Sequence, residues 1–114
     1  MSKAQAPTGN KNQMRIVRRG SSSSLTQEEA EAKLSLEGYQ SYCWYDVPGT
    51  SYPKHKHELD ECLWILNGEI HFTFENETHV LRSGDKIYIP AQLLHTAQIP
   101  LSGGVTYLVG EKNH

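Results

Sequence analysis

From Gly38 onward the chain is written in short apolar runs separated by turn residues. Ile70, Phe72 and Phe74 alternate with His71, Thr73 and Glu75, the period-2 pattern of a strand with one buried face. Further runs fall at Tyr39 to Val47, Glu61 to Leu66, His79 to Leu81, Lys86 to Ile89, Leu94 to Ile99 and Val105 to Val109. Pro48-Gly49, Glu75-Asn76-Glu77, Ser83-Gly84-Asp85 and Pro90 punctuate them. Asn67-Gly68 is the strongest short hairpin signal in the chain and predicts a hairpin after the Glu61 run. Short strands at this regular spacing predict an all-β barrel or sandwich.

The region before Gly38 reads differently. Residues 1–13 carry almost nothing to bury and predict a disordered tail. Residues 14–38 hold a short strand from Met14 to Val17, a four-serine connection at Ser21 to Ser24, and one helix. Thr26 and Glu29 have the spacing of a capping box, acidic residues fill the first turn, and Gly38 stands where a C′ glycine stops a helix. The predicted helix runs from Gln27 to Glu37. The barrel itself is expected over residues 39–110.

Size and charge narrow the options. With 114 residues, the chain holds one domain. A net charge of −2 leaves no excess to attract a nucleic-acid backbone or an anionic membrane. Arg15, Arg18 and Arg19 form a local basic run, expected to be solvated. No apolar signal segment or membrane-spanning run is present, so a cytoplasmic protein is expected, with no nucleic-acid or membrane partner. Cys43 and Cys62 form no CxxC pair and are expected to be free thiols.

The chemistry concentrates between Gly49 and Gly68. His55 and His57 are two apart, which on a strand puts both imidazoles on one face. A turn at Glu58-Leu59-Asp60 would bring Glu61 back to that face, and His95 is the candidate for a fourth group. Three neutral imidazoles and one carboxylate suit a borderline divalent metal better than calcium or magnesium. The competing reading of KHKHELDE is a charged surface loop. His71, His79 and His114 read as ordinary exposed or core histidines.

What separates these readings is a pattern. Gly49, His55, His57, Glu61 and Gly68 match G-x5-H-x-H-x3-E-x6-G without a departure. Downstream, Gly84, Pro90 and His95 match G-x5-P-x-G-x2-H-x3-N, while Gln92 replaces its second glycine and Ile99 its asparagine. In these two motifs the sequence resembles the cupin superfamily, over about residues 40–109. The resemblance implies a double-stranded β-helix, a jelly-roll barrel, with the ligands His55, His57, Glu61 and His95 inside it. The implied cofactor is one divalent ion: iron, manganese, nickel, zinc or copper. Gln92 cannot enter the left-handed region without cost, so its turn is expected to take another shape and set the amide near the pocket mouth.

The family fold does not fix an activity. One reading is a metal-dependent enzyme of oxygenase or isomerase type acting on a small anionic or oxygen-rich molecule. A second is a non-catalytic ligand-binding or sensing protein, and a third gives the metal a structural role only. A divalent ion with one carboxylate keeps a net positive charge, which points to a carboxylate or enolate ligand. Tyr52, Tyr88, Gln92 and Gln98 are the polar residues expected within reach of it. Residues 14–18 have no evident place in a minimal barrel, which predicts a homodimer in which they pair with the partner.

Overall fold

The computed structural model describes residues 13–19 and 25–113. The expected tail over residues 1–12 and the four-serine connection lie outside the described residues. In order, the elements are β1 (Arg15–Val17), α1 (Gln27–Leu36), β2 (Tyr39–Asp46), β3 (Ser51–His55), β4 (Glu61–Asn67), β5 (Glu69–Phe74), β6 (Glu77–Arg82), β7 (Lys86–Ile89), β8 (His95–Gln98) and β9 (Val105–Lys112). The strands form two antiparallel sheets, ordered β1-β7-β4-β9-β2 and β3-β8-β5-β6. This is the expected jelly-roll barrel with one short helix.

The barrel closes because each strand alternates. On β4, Leu63 and Ile65 point into the space between the sheets, while Cys62 and Trp64 point out beneath α1. Ile70, Phe72 and Phe74 of β5 and Leu81, Ile87, Ile89, Ile99 and Val105 complete the inner core. On the outer face, Ala30 and Leu34 of α1 cover Tyr39, Cys62, Trp64 and Leu108. The capping box forms as expected: Thr26 Oγ1 accepts from Glu29 N at 3.1 Å, and Glu29 Oε1 accepts from Thr26 N at 3.0 Å. Cys43 and Cys62 are free thiols. No helix of the described residues is long and apolar enough to cross a membrane.

Two expectations are corrected here. Asn67-Gly68 does not make a hairpin, because β4 and β5 lie in different sheets. It is a corner at which the chain crosses from one sheet to the other. Gly68 has φ +99°, and a Cβ there would come within 2.4 Å of the Gly104 carbonyl oxygen. The dipeptide signals a sharp reversal of the backbone and says nothing about whether the flanking strands pair. The second correction concerns the place of residues 14–18: β1 pairs with β7, so the segment has a position in the barrel.

The arginines beside β1 are structural as well as solvated. Asp85, buried at the β6–β7 corner, accepts from Arg19 N at 2.9 Å, Arg82 N at 3.0 Å and Arg18 Nη1 at 3.0 Å. Arg18 Nη1 also donates to the Val80 carbonyl at 2.6 Å, and the Arg15 guanidinium lies 4.2 Å from the Tyr88 ring centroid. Burial acts to raise the Asp85 carboxyl, but the amides of Arg82 and Arg19 and the Arg18 charge outweigh it and hold it below the usual range.

A carboxyl lowered by folding stabilises fully above its unfolded pKa of about 3.9 and loses that contribution as pH falls through the folded value. Asp85→Ala should therefore cost about 2 kcal/mol at neutral pH, by urea unfolding. The gap between variant and parent should shrink as the pH is taken below 4.

Candidate metal centre

The position of His55 depends on an irregularity in β3. Ser51 and Tyr52 pair with Gln98 and Ala97 of β8, but His55 pairs with His95, so one extra residue has entered β3 between Tyr52 and His55. In a regular strand, Tyr52 and His55 would face opposite ways. The bulge reverses the alternation, and both line the same cavity. Pro53 lies in the irregular stretch, where its missing N–H costs no ladder bond.

His57 and His95 are set by two loops tied to each other. Gln92 N donates to the His57 carbonyl at 2.9 Å, and Ala91 N donates to Asp60 Oδ1 at 2.7 Å. These bonds fasten the segment before β4 to the turn before β8. Gln92 does enter the left-handed region, at φ +71°, contrary to expectation. The turn keeps the shape a glycine would give it, at a backbone cost of about 1–2 kcal/mol. The amide bond to His57 holds that strain in place. The Gln92 side chain is exposed, with a marginal contact to the same carbonyl at 3.4 Å, and does not line the cavity.

The ring nitrogens of His55, His57 and His95 converge within 4.8 Å of one another. Ring centroids lie 4.8 Å apart for His55 and His57, 4.4 Å for His55 and His95, and 5.2 Å for His57 and His95. His55 Nδ1 lies 2.7 Å from the Pro53 carbonyl and His95 Nδ1 lies 2.8 Å from the Leu93 carbonyl. A carbonyl only accepts, so both Nδ1 atoms carry the proton and each Nε2 keeps its lone pair. Burial, with His55 and His57 adding to it, pushes His95 down to about 4. His57 is lowered by burial and then by His55. Rings kept neutral, with one nitrogen fixed by a carbonyl, have the form that binds a metal. Phe74 stacks on His95 at 5.4 Å and supports it from below.

Glu61 lines the same cavity from the first position of β4, but its carboxylate is not in the group of three nitrogens. Its Oε2 lies 3.3 Å from His57 Nδ1. Burial, then the Glu111 carboxylate on the neighbouring strand, raises the Glu61 carboxyl to about 7. That position allows it to bind an ion beside the three rings, or to orient the His57 ring.

The cavity holds about 350 Å³ and is walled by Tyr42, Trp44, Tyr52 and Tyr107, with Leu63, Ala97 and Val109 as its apolar part. Asp46, which the sequence reading missed, organises the far wall. Asp46 is buried, and its Oδ1 accepts from Tyr52 OH at 2.6 Å and Trp44 Nε1 at 3.0 Å, while Oδ2 accepts from Tyr107 OH at 2.7 Å. Both phenols are raised, by burial first and then by this bond, so they stay protonated donors. An aspartate ending an aromatic strand was the one available signal. Tyr88 and Gln98 do not reach the cavity: Tyr88 OH donates to Glu37 Oε1 at 2.7 Å, and Gln98 is exposed on β8. His71 and His79 lie apart from the site, beside Glu69 and Glu77.

A double-stranded β-helix with three imidazoles meeting in its lumen defines a class of small barrel proteins. Residues 44–111 match the family model for the Cupin domain, and the chain belongs to that family. Solved structures share the fold at low identity. A cupin superfamily protein from Desulfitobacterium hafniense is 20% identical, with 90% of this chain and 80% of that one covered and a TM-score of 0.59. A DUF861 family protein from Thermotoga maritima is 18% identical, covering 87% and 99% at a TM-score of 0.60. The polyketide cyclase RemF from Streptomyces resistomycificus is 21% identical, covering 65% and 54% at a TM-score of 0.60. No functionally curated protein matches the chain.

The strain at Gln92 gives a two-sided prediction. Gln92→Gly should raise the unfolding free energy by about 0.5 kcal/mol, since the relief is partly offset by glycine's greater chain entropy. Gln92→Val places a β-branched residue at positive φ and should cost about 2 kcal/mol. Thermal unfolding of both variants checks the pair.

Proposed function

We propose that the chain binds one divalent transition-metal ion through His55, His57 and His95, with Glu61 as the fourth donor, and uses it to act on a small molecule. The observation that carries this reading is the pair of Nδ1–carbonyl bonds, which leave the Nε2 lone pairs of His55 and His95 free beside His57. A surface loop has no need for such preset tautomers. Four protein donors on a six-coordinate ion leave positions open toward the cavity, and a bound metal would polarise an oxygen of the substrate there. An oxygenase or isomerase type of reaction fits such a site.

The chain's own residues have separable tasks in this reading. The imidazoles hold the ion, Phe74 and the carbonyls of Pro53 and Leu93 fix the rings, and the aromatic residues wall the cavity. Tyr52 and Tyr107 do not serve as free acids, because both hydroxyls donate to Asp46. With Glu61 given to the ion, Glu111 is the lining carboxylate left to accept or return a proton. This short supply of proton carriers also favours a second reading, a non-catalytic protein in which the metal anchors a ligand.

Titration of the metal-free protein with zinc should give one ion per chain. Alanine at His55, His57 or His95 should weaken it by about 100-fold or more, and Glu61→Gln by about 10- to 100-fold. An ion held equally well by the triple alanine variant removes the proposal. Oxygen uptake or product formation with iron(II) separates enzyme from binding protein. The barrel has an extensive apolar core of its own besides the three rings, so chelation should lower the melting temperature without abolishing cooperative unfolding.

A further inference from the structure

The aromatic wall of the cavity is built to a purpose that metal binding does not require. Tyr42 and Trp44 lie on one face of β2, each 48% exposed, with ring centroids 6.3 Å apart and planes at 84°. Large aromatic side chains left half in water beside a cavity are costly unless something covers them. Opposite them, Tyr52 shares the same lining.

Three rings of the wall, though not Tyr42, are also held by one acceptor. Trp44, Tyr52 and Tyr107 spend their only polar hydrogens on the one buried carboxylate of Asp46. A buried acceptor shared by three donors fixes each ring about its side-chain bonds. The ring faces are thereby presented to the cavity with little freedom left to lose on binding, the condition under which stacking contributes to affinity.

Charge selects further. Among the described residues, the ionisable lining groups apart from the imidazoles and phenols are Glu61 and Glu111, which face each other across β4 and β9, and no lysine or arginine lines the cavity. Counting Glu111 beside Glu61 brings a divalent ion to neutrality. The net positive charge that pointed to an anionic ligand is then gone, and a second anion would meet Glu111.

We propose that the cavity takes a flat aromatic molecule carrying no net negative charge, stacked on the face of one of Trp44 and Tyr42 and edge-on to the other, with a hydroxyl or keto oxygen turned toward the three imidazoles. It rests on the reading of the same cavity as a metal centre and names the ligand class for it. The alternative use of Tyr42 and Trp44 is contact with a second copy, since β2 is the edge of its sheet.

The test is calorimetric titration of the whole chain, both freed of metal and with one equivalent of zinc, with 2-naphthol, 2-naphthoate and decahydro-2-naphthol. Binding of 2-naphthol is expected, weakened about tenfold by Trp44→Ala and by Tyr42→Ala but retained in Trp44→Phe. Asp46→Asn should weaken it less, because the rings remain but are no longer fixed. Naphthoate should bind about tenfold less tightly than naphthol, and the saturated alcohol weaker still. Equal binding of the saturated alcohol, or tighter binding of naphthoate, overturns the proposal. So does a halved sedimentation mass in the Trp44→Ala or Tyr42→Ala variant, which assigns the rings to an interface. Zinc titration of the unchanged chain is read in parallel: zinc bound without naphthol sinks this inference alone, and naphthol bound without zinc sinks the metal reading alone.

Discussion

One extra residue in β3 decides where the first of the three imidazoles points. The alternation of side chains along a strand has a period of two, so a single insertion moves everything beyond it to the other face. Tyr52 stands before the insertion and His55 after it, and both line the lumen. Removing the irregularity would turn His55 outward among the exposed lysines, with no change in composition. The centre is thus a property of strand register before it is a property of histidine chemistry.

Around that register the structure supplies two independent kinds of fixation. The imidazole end is fixed by backbone: carbonyls of Pro53 and Leu93 select the tautomers, and the amides of Ala91 and Gln92 bind the loop that carries His57 and Asp60. The far wall is fixed by a side chain, Asp46, acting on three aromatic donors. The two ends share one cavity but no hydrogen-bonding partner, so a change at one need not disturb the other. Such separation lets the far wall vary while the imidazole end stays constant.

Much of this was legible in the chain. The alternation at Ile70, Phe72 and Phe74, the capping box at Thr26 and the ordered match from Gly49 to Gly68 each reflect a local constraint, and local constraints leave local patterns. Asn67-Gly68 misled because a reversal of direction is local, whereas the choice of pairing partner depends on strands far away. Gln92 misled in the opposite sense. Its side chain disfavours positive φ, but the bond to His57, thirty-five residues earlier, outweighs that preference. Asp46 was invisible because its three donors come from β2, β3 and β9 and meet only once the barrel has closed. The place of β1 against β7 depends on tertiary pairing in the same way.

The position of β9 bears on how such a barrel is made. The strand nearest the C-terminus lies in the interior of its sheet, between β4 and β2. Neither neighbour can be joined to the other until it has been synthesised. A nascent chain on the ribosome therefore exposes the inner faces of β4 and β2 to the crowded cell until β9 has emerged. Closure of the barrel becomes a late, all-or-none event that waits for the ninth of its nine described strands.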